Sequence, residues 1–173
     1  EESRIKVEHS VMNKGEGPMF FSLGAHPAFK CPLEAGEKYA DYFLEFSRRE
    51  SVHCYPLEPS CFIGRKTRQI LHDSNTIELD YSLFENDALI FKDLKSRSVS
   101  LISKYTGKRI QVDFPGFPYL GIWAKPNADY VCIEPWLGIA DSVNTDQQLE
   151  TKEGIIRLPE KSDFHASYTI SIF

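Results

Sequence analysis

The sequence predicts an all-β fold, a large antiparallel twisted β-sandwich, and three observations lead there. Short runs rich in Val, Ile, Phe, Tyr and Thr recur between clusters of Gly, Pro, Asn and Asp from one end to the other. Several of these runs alternate apolar with polar residues, as half-buried antiparallel strands do. No stretch carries a convincing helical pattern. At 173 residues and 42% apolar content the chain is long enough to bury a substantial core as one ordinary domain.

Strands are predicted at 4–12, 18–23, 40–46, 51–56, 68–72, 87–92, 97–105, 108–113, 119–124, 129–134, 154–158 and 165–172. In the first, Ile5, Val7 and His9 alternate with polar neighbours. In the last, Tyr168, Ile170 and Ile172 alternate with Ser167, Thr169 and Ser171. Residues 98–105 and 108–114 read as a hairpin closed by the two-residue turn Thr106-Gly107, with Gly107 supplying positive φ. Loops carry their own turn chemistry: Gly36 within 32–38, Pro115-Gly116-Phe117-Pro118 within 114–119, and Pro126-Asn127 within 125–129. The chain opens on Glu1 rather than Met, already inside the pattern Arg4 to Val11, which predicts that preceding strands are missing.

Composition excludes several function classes. A net charge of −5 argues against phosphate-backbone binding, which needs a dominant basic face, so no nucleic-acid partner is expected. No apolar run approaches the roughly 20 residues that span a bilayer, so no membrane partner is expected either. Cys31, Cys54, Cys61 and Cys132 include no Cys-x-x-Cys pair, which favours a reduced, cytoplasmic setting. His53, His72 and His165 lack a second ligand at metal-binding spacing, there is no glycine-rich phosphate loop, and Ser22 sits in no nucleophile elbow. Neither a metal nor an organic cofactor is expected.

Three segments can carry chemistry. In Phe20-Phe21-Ser22-Leu23-Gly24-Ala25-His26-Pro27, small residues leave room for a ligand beside His26, and Pro27 holds His26 extended. Taken alone, the same pattern also describes a histidine satisfying a backbone carbonyl. In Tyr130-Val131-Cys132-Ile133-Glu134-Pro135-Trp136, a carboxylate closes an apolar strand and needs either a partner or a polar cavity. Trp136 and Trp123 would add the apolar ring faces that a pyranose stacks on, although a salt-bridged Glu with two core tryptophans fits too. Asn86-Asp87 opens a strand and, by itself, reads as a turn. The basic groups Arg65, Lys66, Arg68 and Lys92, Lys95, Arg97 read as solvated faces.

Together, Leu23-Gly24-Ala25-His26-Pro27-Ala28-Phe29 and Cys132-Ile133-Glu134-Pro135-Trp136-Leu137-Gly138-Ile139-Ala140-Asp141 resemble the aldose 1-epimerase (galactose mutarotase-like) family, in particular its LacX-like branch. The resemblance implies that residues 1–173 are the C-terminal part of a single mutarotase-like sandwich domain. It implies His26 as general acid, Glu134 as general base and Asp87 as a holder of sugar hydroxyls, acting on a hexose without metal or cofactor. Trp123 and Trp136 join Asp87 as expected substrate contacts. Two other readings share the fold: a non-catalytic carbohydrate-binding sandwich, and a phosphosugar mutarotase in which some of Arg65, Lys66, Arg68 or Lys92 close on the phosphate. The oligomeric state is left open.

Overall fold

The computed structural model describes residues 3–173. Twelve strands follow in order among the described residues: β1 Ser3–Met12, β2 Met19–Phe21, β3 Ala28–Lys30, β4 Tyr42–Cys54, β5 Arg68–Glu78, β6 Leu89–Phe91, β7 Ser98–Ser103, β8 Arg109–Asp113, β9 Tyr119–Trp123, β10 Tyr130–Trp136, β11 Ile156–Leu158 and β12 Asp163–Ile172. Three short 3-10 turns are the only helical elements among these residues. All named pairings are antiparallel, in a six-stranded sheet β1-β12-β8-β7-β4-β5, a four-stranded sheet β3-β10-β9-β6 and the pair β11-β2. No described helix is long and apolar enough to cross a membrane.

One core joins the two larger sheets. The six-stranded sheet contributes Leu44, Phe46, Leu71, Val99, Leu101 and Val112, and the four-stranded sheet contributes Leu89, Phe91, Leu120, Ile122, Val131 and Ile133. Phe46 of β4 meets Phe91 of β6 edge-on, with ring centroids 6.0 Å apart. Because side chains alternate along a strand, this inward set forces a second set of the four-stranded sheet outward: Ile90, Gly121, Trp123, Cys132, Glu134 and Trp136. That outward face carries the candidate site.

The predicted strands at 40–46 and 51–56 are one strand. Ser47-Arg48-Arg49-Glu50 is polar enough to read as a turn, yet β4 runs through it with register shifts against β5. Glu50 is buried there, and its Oε1 accepts from the Ser96 amide and hydroxyl at 2.7 Å each. β5 likewise continues past the predicted stop at residue 72, with Asp73 left-handed at φ 45°. β3 was not expected, and β10 extends through Pro135 to Trp136, so Glu134 stands inside a strand rather than at its end. Ile5 is exposed, since β1 is the outermost strand of its sheet and the predicted apolar face is uncovered at that end.

The hairpin is present, with a different turn. Its ladder closes at the Ser103–Lys108 hydrogen bond, leaving four residues in the loop instead of two. Buried Ser103 causes the difference: its Oγ accepts from the amides of Tyr105 and Thr106 and donates to Glu37 Oε1 at 2.8 Å. Gly107 does supply the expected positive φ, 70°. Replacing Ser103 with Ala leaves two amides and a carboxylate without this partner. The Ser103→Ala protein is expected to lose about 1–3 kcal/mol of stability, read as a lower denaturant midpoint at unchanged slope.

Candidate active site

Two prolines set the geometry. Residues 23–28 run alongside β10 in one antiparallel register: Gly24 bridges Trp136, and Ala28 pairs with Cys132. His26 therefore falls opposite Glu134. The hydrogen-bonded positions lie on either side, where Ala25 N–H donates to Pro135 O at 2.9 Å, Ile133 N–H to Pro27 O at 3.3 Å and Leu137 N–H to Leu23 O at 2.8 Å. Pro27 and Pro135 have no N–H, so each of their pairs keeps one bond where two are usual. This is why the ladder reads as interrupted between β2 and β3 although the register never changes.

His26 and Glu134 occupy a non-hydrogen-bonded position, the kind in which facing side chains come closest. His26 Nδ1 contacts Glu134 Oε2 directly. The two partners differ in setting: the imidazole is 65% exposed and the carboxylate 4%. Burial pushes the Glu134 carboxyl above its ordinary range, against the opposing pull of His26 and the Trp136 indole, while nearby Asp87 adds a smaller upward push.

Trp136 is fitted into this arrangement by two glycines. A Cβ on Gly24 would lie 2.8 Å from Trp136 Cδ1, and one on Gly121, opposite Glu134, would overlap the six-membered ring. The indole thus lies across bare backbone, with Nε1 donating to the Ala25 carbonyl at 3.1 Å. Trp123 stacks on the His26 ring from the neighbouring strand, with centroids 6.3 Å apart and planes 30° off parallel. His26, Asp87, Trp123, Glu134 and Trp136 all line one open cavity of about 710 Å³, completed by Leu57, Ile63, Ile90 and Ile139.

The five residues singled out from the sequence are thus brought together. Asp87 arrives by a different route from the one expected, since it precedes β6 in a left-handed conformation, φ 74°, with Oδ1 accepting from the Ala88 amide at 2.7 Å. It sits on the wall shared with a second cavity of about 810 Å³, where Lys66 and Arg68 are found. Lys92 is not a solvated group: it pairs with Glu153 at 2.8 Å over the face of Tyr55. Two features had no sequence signal. Lys152, paired with Asp141 at 3.0 Å, reaches the cavity wall. Cys132 presents its thiol beside His26 and Glu134, with the three ligand atoms within 4.8 Å of one another. Burial, reinforced by Glu134, pushes that thiol up to about 12.

The chain is similar to known proteins in both sequence and shape. A family model for aldose 1-epimerase matches residues 1–156. The plasmid and chromosomal LacX proteins of Lactococcus lactis subsp. lactis are each 39% identical over 173 residues, which is 97% of this chain and 58% of theirs. The chain therefore spans about 58% of the length of the curated relatives it matches. The galactose mutarotase related enzyme of Lactobacillus acidophilus superposes with a TM-score of 0.90 at 31% identity, over 98% of this chain and 57% of that one. A galactose mutarotase-like protein of Lactobacillus casei gives 0.85 at 24% identity, a likeness of fold, over 97% and 58%.

The raised carboxyl has a measurable consequence. A group whose folded-state value lies above its unfolded one contributes stability below the ordinary range, near 4.5, and loses it as pH rises through the folded value. Glu134→Gln removes that loss. Its melting temperature is expected to equal or exceed that of the parent above this range, with the gap narrowing as pH falls below it.

Proposed function

This chain belongs to the aldose 1-epimerase family, and on that footing we propose that it interconverts the α and β anomers of a hexose by acid–base ring opening. The observation that carries the reading is the direct contact between His26 and Glu134 on the wall of the cavity. The C1 hydroxyl and the ring oxygen of a pyranose hang on the same carbon. Two groups that exchange protons with them must themselves be neighbours, one acid and one base.

In the reaction, Glu134 takes the proton of the C1 hydroxyl while His26 donates one to the ring oxygen, and the C1–O5 bond breaks to leave an open-chain aldehyde. Rotation about C1–C2 presents the other face, and the two transfers reverse. Nδ1 already faces the carboxylate, so Nε2 is the ring atom left for the sugar. Trp123 would hold the imidazole plane, and Asp87 would accept hydroxyls away from C1. No step calls for an electron carrier or Lewis acid.

The family and the Lactobacillus acidophilus relative support a sugar epimerase or mutarotase-like function. Of the cations that a phosphosugar reading would use, Lys66 and Arg68 line the second cavity, which meets the first at Asp87, and Lys92 is paired with Glu153. A binding module would need the aromatic faces and Asp87 but not an imidazole held against a buried carboxylate. All four cysteines are free, which fits the cytoplasmic setting that we assign.

Polarimetry on freshly dissolved α-glucose and α-galactose tests the proposal, with the protein at its full natural length. Glu134→Gln and His26→Ala are each expected to lower kcat by about 10²–10⁴-fold with sugar binding largely retained. Normal mutarotation by Glu134→Gln would refute the assignment. Asp87→Ala is expected to raise KM instead, and a pure loss of kcat there would contradict its role in holding hydroxyls.

A further inference from the structure

We propose that His26, Cys132 and Glu134 form a binding site for one borderline-soft divalent cation of the zinc class, whose occupant replaces the proton shared by His26 and Glu134. Imidazole nitrogen, thiolate sulfur and carboxylate oxygen are the donors such an ion takes, whereas calcium and magnesium prefer oxygen alone. Here one of each lies within 4.8 Å of the other two. His26 and Glu134 line the open cavity, with Cys132 buried behind them, so three protein donors leave a fourth position on the cavity side for water or a sugar hydroxyl, the ligand count of zinc sites that are not closed.

The placement favours a real site over a chance cluster. Cys132 and Glu134 sit two residues apart on β10 and so project from the same face of a rigid strand, both almost fully buried. His26 supplies the adjustment. Its side chain is largely exposed, so it can withdraw from the carboxylate far enough to admit an ion between them. Charge also balances, because one thiolate and one carboxylate offset a divalent cation, leaving a neutral set where an unpaired charge would be costly.

Binding involves no oxidation. The sulfur–metal bond forms as the Cys132 thiol gives its proton to solvent, and the proton held between His26 and Glu134 leaves as their lone pairs turn to the metal. Two protons are released per ion. Occupancy removes both acid and base from proton exchange, so the ion is an inhibitor of the reaction proposed above. The site itself rests on geometry and not on that reading.

Cobalt serves as the probe, because a thiolate-to-cobalt charge-transfer absorption reports sulfur ligation without any sugar present. One equivalent per chain is expected to produce the band in the parent protein and in Cys61→Ser, whose exposed thiol lies outside the cavity, with zinc abolishing it. Cys132→Ser should lose the band while melting as a folded protein. Glu134→Gln and His26→Ala, which keep the thiol, should each weaken cobalt binding by at least about 10–100-fold, the cost of losing even a supporting partner. No band with cobalt in large excess, or a band that survives in Cys132→Ser, would overturn the site. Should Cys132→Ser not fold, unchanged cobalt affinity in the other two variants would overturn it equally. Failure of mutarotation in the metal-free protein would count against the epimerase reading alone.

Discussion

The structure depends on one register. From Gly24 to Ala28 the chain lies antiparallel to β10, and every pairing on that line is fixed by those at its ends. His26 and Glu134 meet because they occupy the same rung, not because a loop happens to bring them near. Prolines would normally be excluded from such a place, since each removes a ladder hydrogen bond. Here each occupies a hydrogen-bonded rung beside that of His26 and Glu134 and removes a single bond. The backbone is loosened next to the pair while its alignment is kept by Ala25, Ile133 and Leu137.

That register also divides the four-stranded sheet into two faces with opposing demands. Val131 and Ile133 belong to the core shared with the six-stranded sheet, so any slip by one residue would exchange them with Cys132 and Glu134 and bury a carboxylate among aliphatic side chains. The core thus fixes which side chains the other face presents. The cost appears at Glu134, whose burial opposes its ionised state, the one that the proposed proton abstraction would use. His26 and the Trp136 indole partly offset it, and the indole can lie there only because Gly24 and Gly121 present no Cβ.

Much of this was legible in the sequence, for identifiable reasons. Period-two alternation and turn residues located most strands, and an isolated carboxylate among apolar neighbours marked Glu134 as unusual. The errors also share a cause. Ser47 to Glu50 and Asp73 to Asn75 look like turns because polarity is a one-dimensional cue, whereas Glu50 is buried with its Oε1 held by Ser96, 46 residues away. The hairpin was misread by two residues because Ser103 competes for the turn amides, a choice that depends on its burial against Glu37. Cys132 escaped notice because its relation to His26 exists only through strand pairing. Spacing along the chain carries no trace of it.

The same closeness that suits proton exchange makes the pair attractive to a cation, and burial decides between the two occupants. A proton needs only the two facing groups. A metal ion needs the third, and the Cys132 thiol is held neutral by its apolar surroundings and by the adjacent carboxylate, which together push it up to about 12. A single strand face therefore carries Cys132 and Glu134 side by side, with His26 opposite, so the proposed proton exchange and the proposed ion draw on the same groups.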